Sequence, residues 1–362
     1  MSTIDLEIPS GRFAAGVISP GVKVRYLTPA MRKRWDSFVM SCPAATFFHL
    51  AGWRDVIYQA FNHDTYYLYA EFDGDIQGIL PLVHINSWMF GNALISMPFC
   101  VHGGAAAITE EARQALVNAA CSLANKLNVD YLEMRHRERQ YPRWPVKDEL
   151  YVEFRKTLAS DPEQNLHAIP RKQRAMVRKG IQAGLISELD SDVERFYLAY
   201  SQSVRNLGTP VFSKRYFKLL KYIFNNDCRI LTITHQGKIV SSVMSFYFRD
   251  QVMPYYGGGT ALARTMKGND FMYWELMRRS CEEGILVFDY GRSKVGTGSY
   301  DFKRNWGFQP EPLYYEYFLV KGSKVPDINP LNPKYRVFIN LWKRLPLSIS
   351  TSLGPLISRN LG

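Results

Sequence analysis

The sequence predicts a mixed α/β chain of the α+β type, folded as two tandem domains with mixed, mostly antiparallel sheets. Three observations predict it. The 362 residues exceed what one hydrophobic core usually organises, so about two domains are expected. A hairpin with a glycine turn occurs twice, strands at 65–72 and 76–85 flanking Asp73-Gly74-Asp75, and strands at 229–234 and 239–248 flanking His235-Gln236-Gly237-Lys238. Each hairpin is followed by a helix and an apolar strand, at 112–127 and 129–134 in the first copy and at 269–283 and 286–290 in the second. Gly237 follows Gly74 by 163 positions and Tyr290 follows Tyr131 by 159, so order, type and spacing agree, as an internal duplication requires.

Local chemistry justifies these elements. The hairpin strands alternate and are rich in β-branched and aromatic residues, which suit a pleated, half-buried surface. Thr109-Glu110-Glu111 offers a capping hydroxyl and first-turn acids to the first long helix, and Asn269-Asp270 does the same for the second. The pattern breaks at Ala159-Ser160-Asp161-Pro162, which sets expected domains at 22–157 and 158–320, the second carrying the active site. Pro326, Pro330, Pro333, Pro346 and Pro355 then mark 321–362 as a tail. Within it Asn332-Pro333 reads as a helix start, and residues 334–345 place Arg336, Asn340, Lys343 and Arg344 on one arc and Phe338, Ile339, Leu341 and Trp342 on the other. Such a helix either docks its apolar face on the second domain or makes peripheral contact with an anionic membrane.

Composition narrows the partners. Lys and Arg number 45 against 33 Asp and Glu, a net charge of +12 that favours phosphates, nucleic acid or an anionic membrane surface. Five scattered cysteines give neither the close pairs of a zinc site nor a compact disulfide framework, and point to a reducing compartment. The amino terminus lacks a basic start with an apolar run, and no stretch reaches the ~20 apolar residues of a bilayer span. The expected location is cytoplasmic, with the inner membrane face as the site of any peripheral contact.

Three stretches could carry chemistry. Residues 291–303 read as a glycine-rich loop after Asp289-Tyr290, where Arg292, Lys294, Lys303 and Arg304 beside Phe302 and Trp306 either hold a phosphate and stack a base or cover the core edge. In Tyr255-Tyr256-Gly257-Gly258-Gly259-Thr260 a glycine run exposes backbone N–H groups, and a few residues later a helix start offers an anion site. Its contiguous glycines match neither a P-loop nor a dinucleotide fingerprint. Arg171, Arg174 and Arg178 share one face of a helix running from Pro170 to Gly180, either a solvated basic face or a seat for polyphosphate or RNA. The seven histidines are dispersed, without His-Glu-x-x-His or a Gly-x-Ser-x-Gly elbow. What remains is chemistry that needs positioning and charge stabilisation, such as transfer of an activated acyl group to an amine.

Asp289-Tyr290-Gly291-Arg292-Ser293, followed by Tyr300-x-Phe302-Lys303-x-x-Trp306-Gly307-Phe308, resembles the carboxy-terminal signature of the FemAB-like acyltransferases, especially the branch associated with exosortase/PEP-CTERM systems and exopolysaccharide loci. Phe47-Phe48-His49-x-x-x-Trp53 resembles the amino-terminal motif of that branch, and residues 171–180 resemble its basic linker helix. The likeness spans about residues 22–345 and implies two tandem GNAT-like domains that transfer an acyl or aminoacyl group to an amine acceptor in exopolysaccharide or cell-envelope biosynthesis. It implies that Lys303 stabilises the developing oxyanion and Phe302 shapes the acceptor site; beside these, Arg171, Arg174, Arg178 and Arg292 are expected to hold an anionic or tRNA-linked substrate, and Tyr256 and Trp306 to line it. Arg264-Thr265-Met266-Lys267-Gly268-Asn269 lacks the glycine spacing of an acetyl-CoA loop, so the implied donor is aminoacyl-tRNA or another acyl thioester, with no metal. The alternative is a non-catalytic GNAT-fold RNA-binding or scaffold protein of a polysaccharide locus, against which the intact Phe302-Lys303 pair speaks.

Overall fold

The structure, a computed structural model, describes residues 21–87, 91–322, 324–325 and 336–361. Contacts divide the chain into two units, 1–148 with 313–326 and 149–312 with 327–361. The strands are β1 (Lys23–Tyr26), β2 (Asp64–Phe72), β3 (Asp75–Ser87), β4 (Gly91–Ser96), β5 (Ala106–Ala107), β6 (Tyr131–His136), β7 (Val146–Lys147) and β8 (Tyr151–Thr157). They continue with β9 (Ile186–Asp190), β10 (Cys228–His235), β11 (Lys238–Phe248), β12 (Gln251–Gly259), β13 (Val287–Lys294), β14 (Gln309–Pro312) and β15 (Tyr314–Leu319). The first sheet runs β1-β2-β3-β4-β6-β15-β7 with β5 beside β3, and the second, read from its far edge, runs β9-β10-β11-β12-β13-β8-β14. Each is antiparallel except for one parallel pair, β4 with β6 and β12 with β13.

The duplication extends to backbone detail. Asp73 and Gly74 turn the first hairpin with φ of 48° and 83°, and Gln236 and Gly237 turn the second with 49° and 73°. Positive φ at both central residues is the turn whose twist matches that of the flanking strands. A bulge follows Ala70 in the first hairpin and Ile233 in the second, again 163 positions apart.

The division differs from the one expected at 157 and 320. β8, expected to close the first domain, pairs with β13 and β14 of the second sheet, and β15 pairs with β6 and β7 of the first. The apparent seam at residue 159 is a helix start: Asp161 accepts from Glu163 N at 2.9 Å and Pro162 occupies the first turn of α4.

The first unit holds helices α1 (Arg32–Ser41), α2 (Gly52–Phe61) and α3 (Glu110–Lys126). Thr109 caps α3, its hydroxyl accepting from Ala112 N at 3.2 Å. The second unit holds α4 (Pro162–Ala168), α5 (Arg171–Gln182), α6 (Glu194–Leu207), α7 (Lys214–Phe224), α8 (Ala261–Met266), α9 (Gly268–Glu282), α10 (Gly298–Asn305), α11 (Arg336–Arg344) and α12 (Leu347–Ser358). Of these helices, α3, α5, α9 and α11 answer to ones expected from sequence, and the others were not anticipated. Asn332, Pro333, Lys334 and the side chain of Arg336 lie outside the described residues, as does the amino terminus. Among the described residues no helix is long and apolar enough to cross a membrane.

Leu68, Leu80, Leu116 and Leu132 lie in the first core, and Phe154, Val243, Met272 and Phe288 in the second. The aromatic motif near residue 50 belongs to the first unit's interior: Phe47, Phe48, His49 and Trp53 are all buried, and Trp35 Nε1 donates to the His49 carbonyl at 2.7 Å. Burial pushes the His49 imidazole down to about 4, so it is neutral at pH 7.

Candidate functional site

The site is built where β12 and β13 part. These parallel strands pair only at their starts, Gln251 with Val287 and Val252 with Phe288, although both continue well beyond. Tyr273 of α9 bridges the opening, its hydroxyl 3.3 Å from where a Cβ on Gly257 would sit and its ring 4.9 Å from that of Tyr290 on β13. Burial pushes the Tyr273 phenol up to about 12 and raises Tyr290 well above the usual tyrosine range, so both stay protonated donors at pH 7. Tyr290 Oη is buried with no hydrogen-bond partner among the described residues.

Immediately after Tyr290 the strand is bulged. Asp289 faces Arg155 and Arg292 faces Glu153, so β13 spends one more residue than β8 over this interval. Gly291 supplies the left-handed conformation, with φ of 65°. Asp289 Oδ1 accepts from Gly291 N at 2.7 Å, which fixes the bulge from within. The bulge turns the carbonyls of Gly291 and Arg292 out of the ladder, and Lys303 Nζ donates to them at 2.9 and 3.0 Å.

Lys303 reaches them from α10. Residues 291–303, expected as a loop, are the end of β13, a short turn and this helix, which starts after Thr297, whose hydroxyl donates to the Lys294 carbonyl at 2.7 Å. The Lys303 ammonium lies 5.6 Å from the centre of the Phe154 ring and 5.9 Å from that of Tyr290, and the residue is only 9% exposed. Burial pushes its pKa down to about 7; Asp289 and Glu153 pull the other way and Arg292 adds to the lowering. An ammonium has three N–H donors, of which two are committed to carbonyls. The cation therefore has one N–H left for a third acceptor, and the neutral amine keeps both backbone bonds with a lone pair in its place.

The structure brings together some of the residues singled out in the sequence and separates others. Phe302, half-buried, packs on Tyr273 and Trp306 with ring centres 5.6 and 6.0 Å apart. Arg292 lies over the Tyr151 ring at 4.7 Å. Trp306, expected to line substrate, is instead a core side chain: it is fully buried, and its indole donates to Asp270 Oδ1 at 3.1 Å. Tyr256 is likewise interior, packed with Phe212 and Phe217 and hydrogen-bonded to Tyr216 Oη at 2.8 Å. The glycine run beside it lies within β12, paired to β11, rather than presenting free N–H groups. A Cβ on Gly258 would lie 2.8 Å from the Ala199 carbonyl and Tyr200 Cα of α6, so glycine there permits a helix to cross the strand at backbone contact.

Arg171, Arg174 and Arg178 lie on α5, which buries Val177 and Gly180 and leaves Arg171 and Arg178 exposed. Arg174 Nη1 donates to the His167 carbonyl at 2.7 Å. The start of α5 adjoins the end of α10, where Pro170 Cδ lies 3.2 Å from a Cβ position on Gly307, so Arg171 is at the Lys303 end of the helix and Arg178 is two turns away. Sequence reasoning missed Tyr273 and Glu153. An acid between Val152 and Phe154 in an apolar strand was the available signal for Glu153, which is only 1% exposed. Among the described residues no group of three or more His, Cys, Asp or Glu side chains could hold a metal.

Residues 166–304, which contain β12, β13 and α10 up to Arg304, match the family described as acetyltransferase (GNAT) domain. None of the curated proteins matches the chain at a significant level. Among solved structures, the crystal structure of FemX is similar over 88% of this chain and 100% of that one, with 13% identity and a TM-score of 0.64. A tandem GNAT protein from the clavulanic acid biosynthesis pathway is similar over 84% of this chain and 100% of its own, with 11% identity and a TM-score of 0.53. The parting parallel strands thus lie in the stretch that matches the acetyltransferase (GNAT) domain, and the chain shares its fold with FemX and with a tandem GNAT protein.

Proposed function

We propose that the protein transfers an activated acyl or aminoacyl group to an amine acceptor. The observation that carries this reading is Lys303: a buried lysine with a pKa near 7, held by the Gly291 and Arg292 carbonyls of β13 beside the Tyr290 ring, on the strand that parts from β12. In the reaction the acceptor amine forms a C–N bond to the acyl carbonyl, and the carbonyl oxygen becomes an oxyanion. Collapse breaks the C–O or C–S bond of the donor, whose departing oxygen or sulfur takes up the proton that the amine nitrogen gives up. The third N–H of cationic Lys303 meets the oxyanion, where a donor preorganised away from water lowers the barrier most. Arg292 and Arg171 hold the anionic part of the donor or acceptor, and Phe302 offers its open face to the acceptor.

The donor is aminoacyl-tRNA or an acyl thioester, and the setting is exopolysaccharide or cell-envelope biosynthesis of the exosortase-associated kind that the signature around Lys303 resembles. A second reading, a non-catalytic RNA-binding or scaffold protein, is favoured by the exposed Arg171, Lys172, Arg178 and Lys179 on α5. Incubation with a panel of acyl-CoA and aminoacyl-tRNA donors and a mixed amine acceptor pool, read by mass spectrometry, separates the two. Wild type is expected to give an acylated amine, and Lys303→Met to lose about tenfold or more of the rate with the fold intact. Wild-type rates in Lys303→Met overturn the role of Lys303. RNA binding without turnover on any donor supports the second reading.

A further inference from the structure

Along α12 the arrangement usual for a surface helix is reversed. Ser350, Gly354 and Ser358 recur at four-residue steps and are buried, whereas Ile349, Leu353 and Leu356 fall on the other side and are 42, 46 and 64% exposed. A helix that only had to close a core would turn its leucines in and its serines out. Packing fixes this orientation. A Cβ on Gly354 would lie 2.8 Å from Val211 N, so the helix sits at backbone contact on that segment, and Ser358 Oγ donates to the Val211 carbonyl at 3.1 Å. Rotation that buried the leucines would break this hydrogen bond and put bulky side chains where only a hydrogen fits.

The preceding helix also leaves apolar side chains exposed. α11 buries Trp342 and sets Ile339 against Gly208, while Phe338 and Leu341 remain 40 and 61% exposed. Six of the eighteen large apolar side chains exposed among the described residues lie within 338–361. The charge around them has one sign: from 328 to 362 there is no Asp or Glu, while Lys334, Arg336, Lys343, Arg344 and Arg359 carry five positive charges. Lys343 and Arg344 are exposed.

We propose that α11 and α12 seat the protein on an anionic lipid bilayer, with Ile349, Leu353 and Leu356 entering the acyl boundary and Lys343 and Arg344 meeting the headgroup phosphates. Exposed leucines beside acid-free positive charge are complementary to that surface and to both of its layers. A second copy of the chain matches poorly, because an isologous contact sets Lys343 and Arg344 against their own kind with no acid between them. The inference stands independently of the acyl-transfer reading.

Vesicle flotation of the full chain tests it, using phosphatidylcholine vesicles with and without about 30% phosphatidylglycerol. Wild type is expected to float with the anionic vesicles, and Leu353→Ser/Leu356→Ser to lose about tenfold of the bound fraction, because the apolar contact supplies most of the affinity. Lys343→Gln/Arg344→Gln should bind more weakly and with less dependence on salt. The serine variant should melt as wild type does, since both leucines are exposed; if it melts early, Leu341→Ser at a second exposed site gives the same readout. Failure of wild type to float, equal flotation of the serine variant, or equal flotation with neutral vesicles overturns the proposal. So does a concentration-dependent dimer that the serine substitutions abolish without any flotation, which assigns the surface to a second copy.

Discussion

Two carbonyl oxygens at a bulge need a donor, and Lys303 supplies it from the eight-residue helix beyond the strand. That arrangement has a signature in pH. An ordinary lysine keeps its proton to about pH 10.4, whereas Lys303 releases it at about 7. Between those values the unfolded chain binds a proton that the folded chain has given up, so wild-type stability rises with pH across the window. That gain is lost again as pH falls back toward about 7, and stability levels off below that, where both states hold the proton. Lys303→Met removes this titration. Urea unfolding of both proteins should show the wild type gaining about 2 kcal/mol relative to the variant between about pH 7 and about pH 9. Parallel curves would mean that Lys303 is charged throughout. At this scale the sequence singled out Lys303 by its place in a short motif, but did not show that β8 and β13 groups, Phe154 and the Gly291 and Arg292 carbonyls, bury and hold it. It misled where the role depends on which way a side chain points: Tyr256 and Trp306 stand in motifs that look exposed, and both point into the core.

At the scale of elements, the glycine run of β12 was legible as unusual but not as what it is. Contiguous glycines at the end of a strand leave the backbone open either to a ligand or to another element, and only the position of α6 decides between them. Gly258 lies under Ala199 and Tyr200 at distances where no side chain fits. Gly258→Val should therefore lift α6 from the sheet and destabilise the protein by about 1–3 kcal/mol, the usual cost of overpacking, or more. A thermal melt checks it, and an unchanged midpoint would show that α6 can yield. Strands, turns and the two long helices were legible because their periodicity and caps are local. α12 was not, because its leucines point away from the core and a helix that reverses the usual pattern looks like a proline-marked tail.

For the whole molecule, the repeat was legible and the cut between its copies was not. Sequence order assigns β8 to the first repeat, yet hydrogen bonding assigns it to the second sheet, beside β13. No local property of Tyr151–Thr157 announces which of two equivalent sheets it will join. A fragment ending at residue 157 should consequently fail to fold, since it lacks β15 and leaves β6 with a bare edge. Expression of that fragment with and without a peptide covering 313–320, followed by amide exchange, gives the readout: protection of β6 should require the peptide. Protection in the fragment alone would show that the first sheet forms without β15.

The reciprocal placement of β8 and β15 has a counterpart in quaternary structure. If the chain were severed into two identical polypeptides of one repeat each, every polypeptide would end in a strand whose only matching berth is on the other, and the pair would be a strand-swapped homodimer. Joined head to tail, the same exchange cannot be undone by dilution. What would be an equilibrium between subunits, with an affinity and a concentration dependence, becomes a property of one gene product, and the two sheets have a common fate on unfolding whatever the protein's concentration.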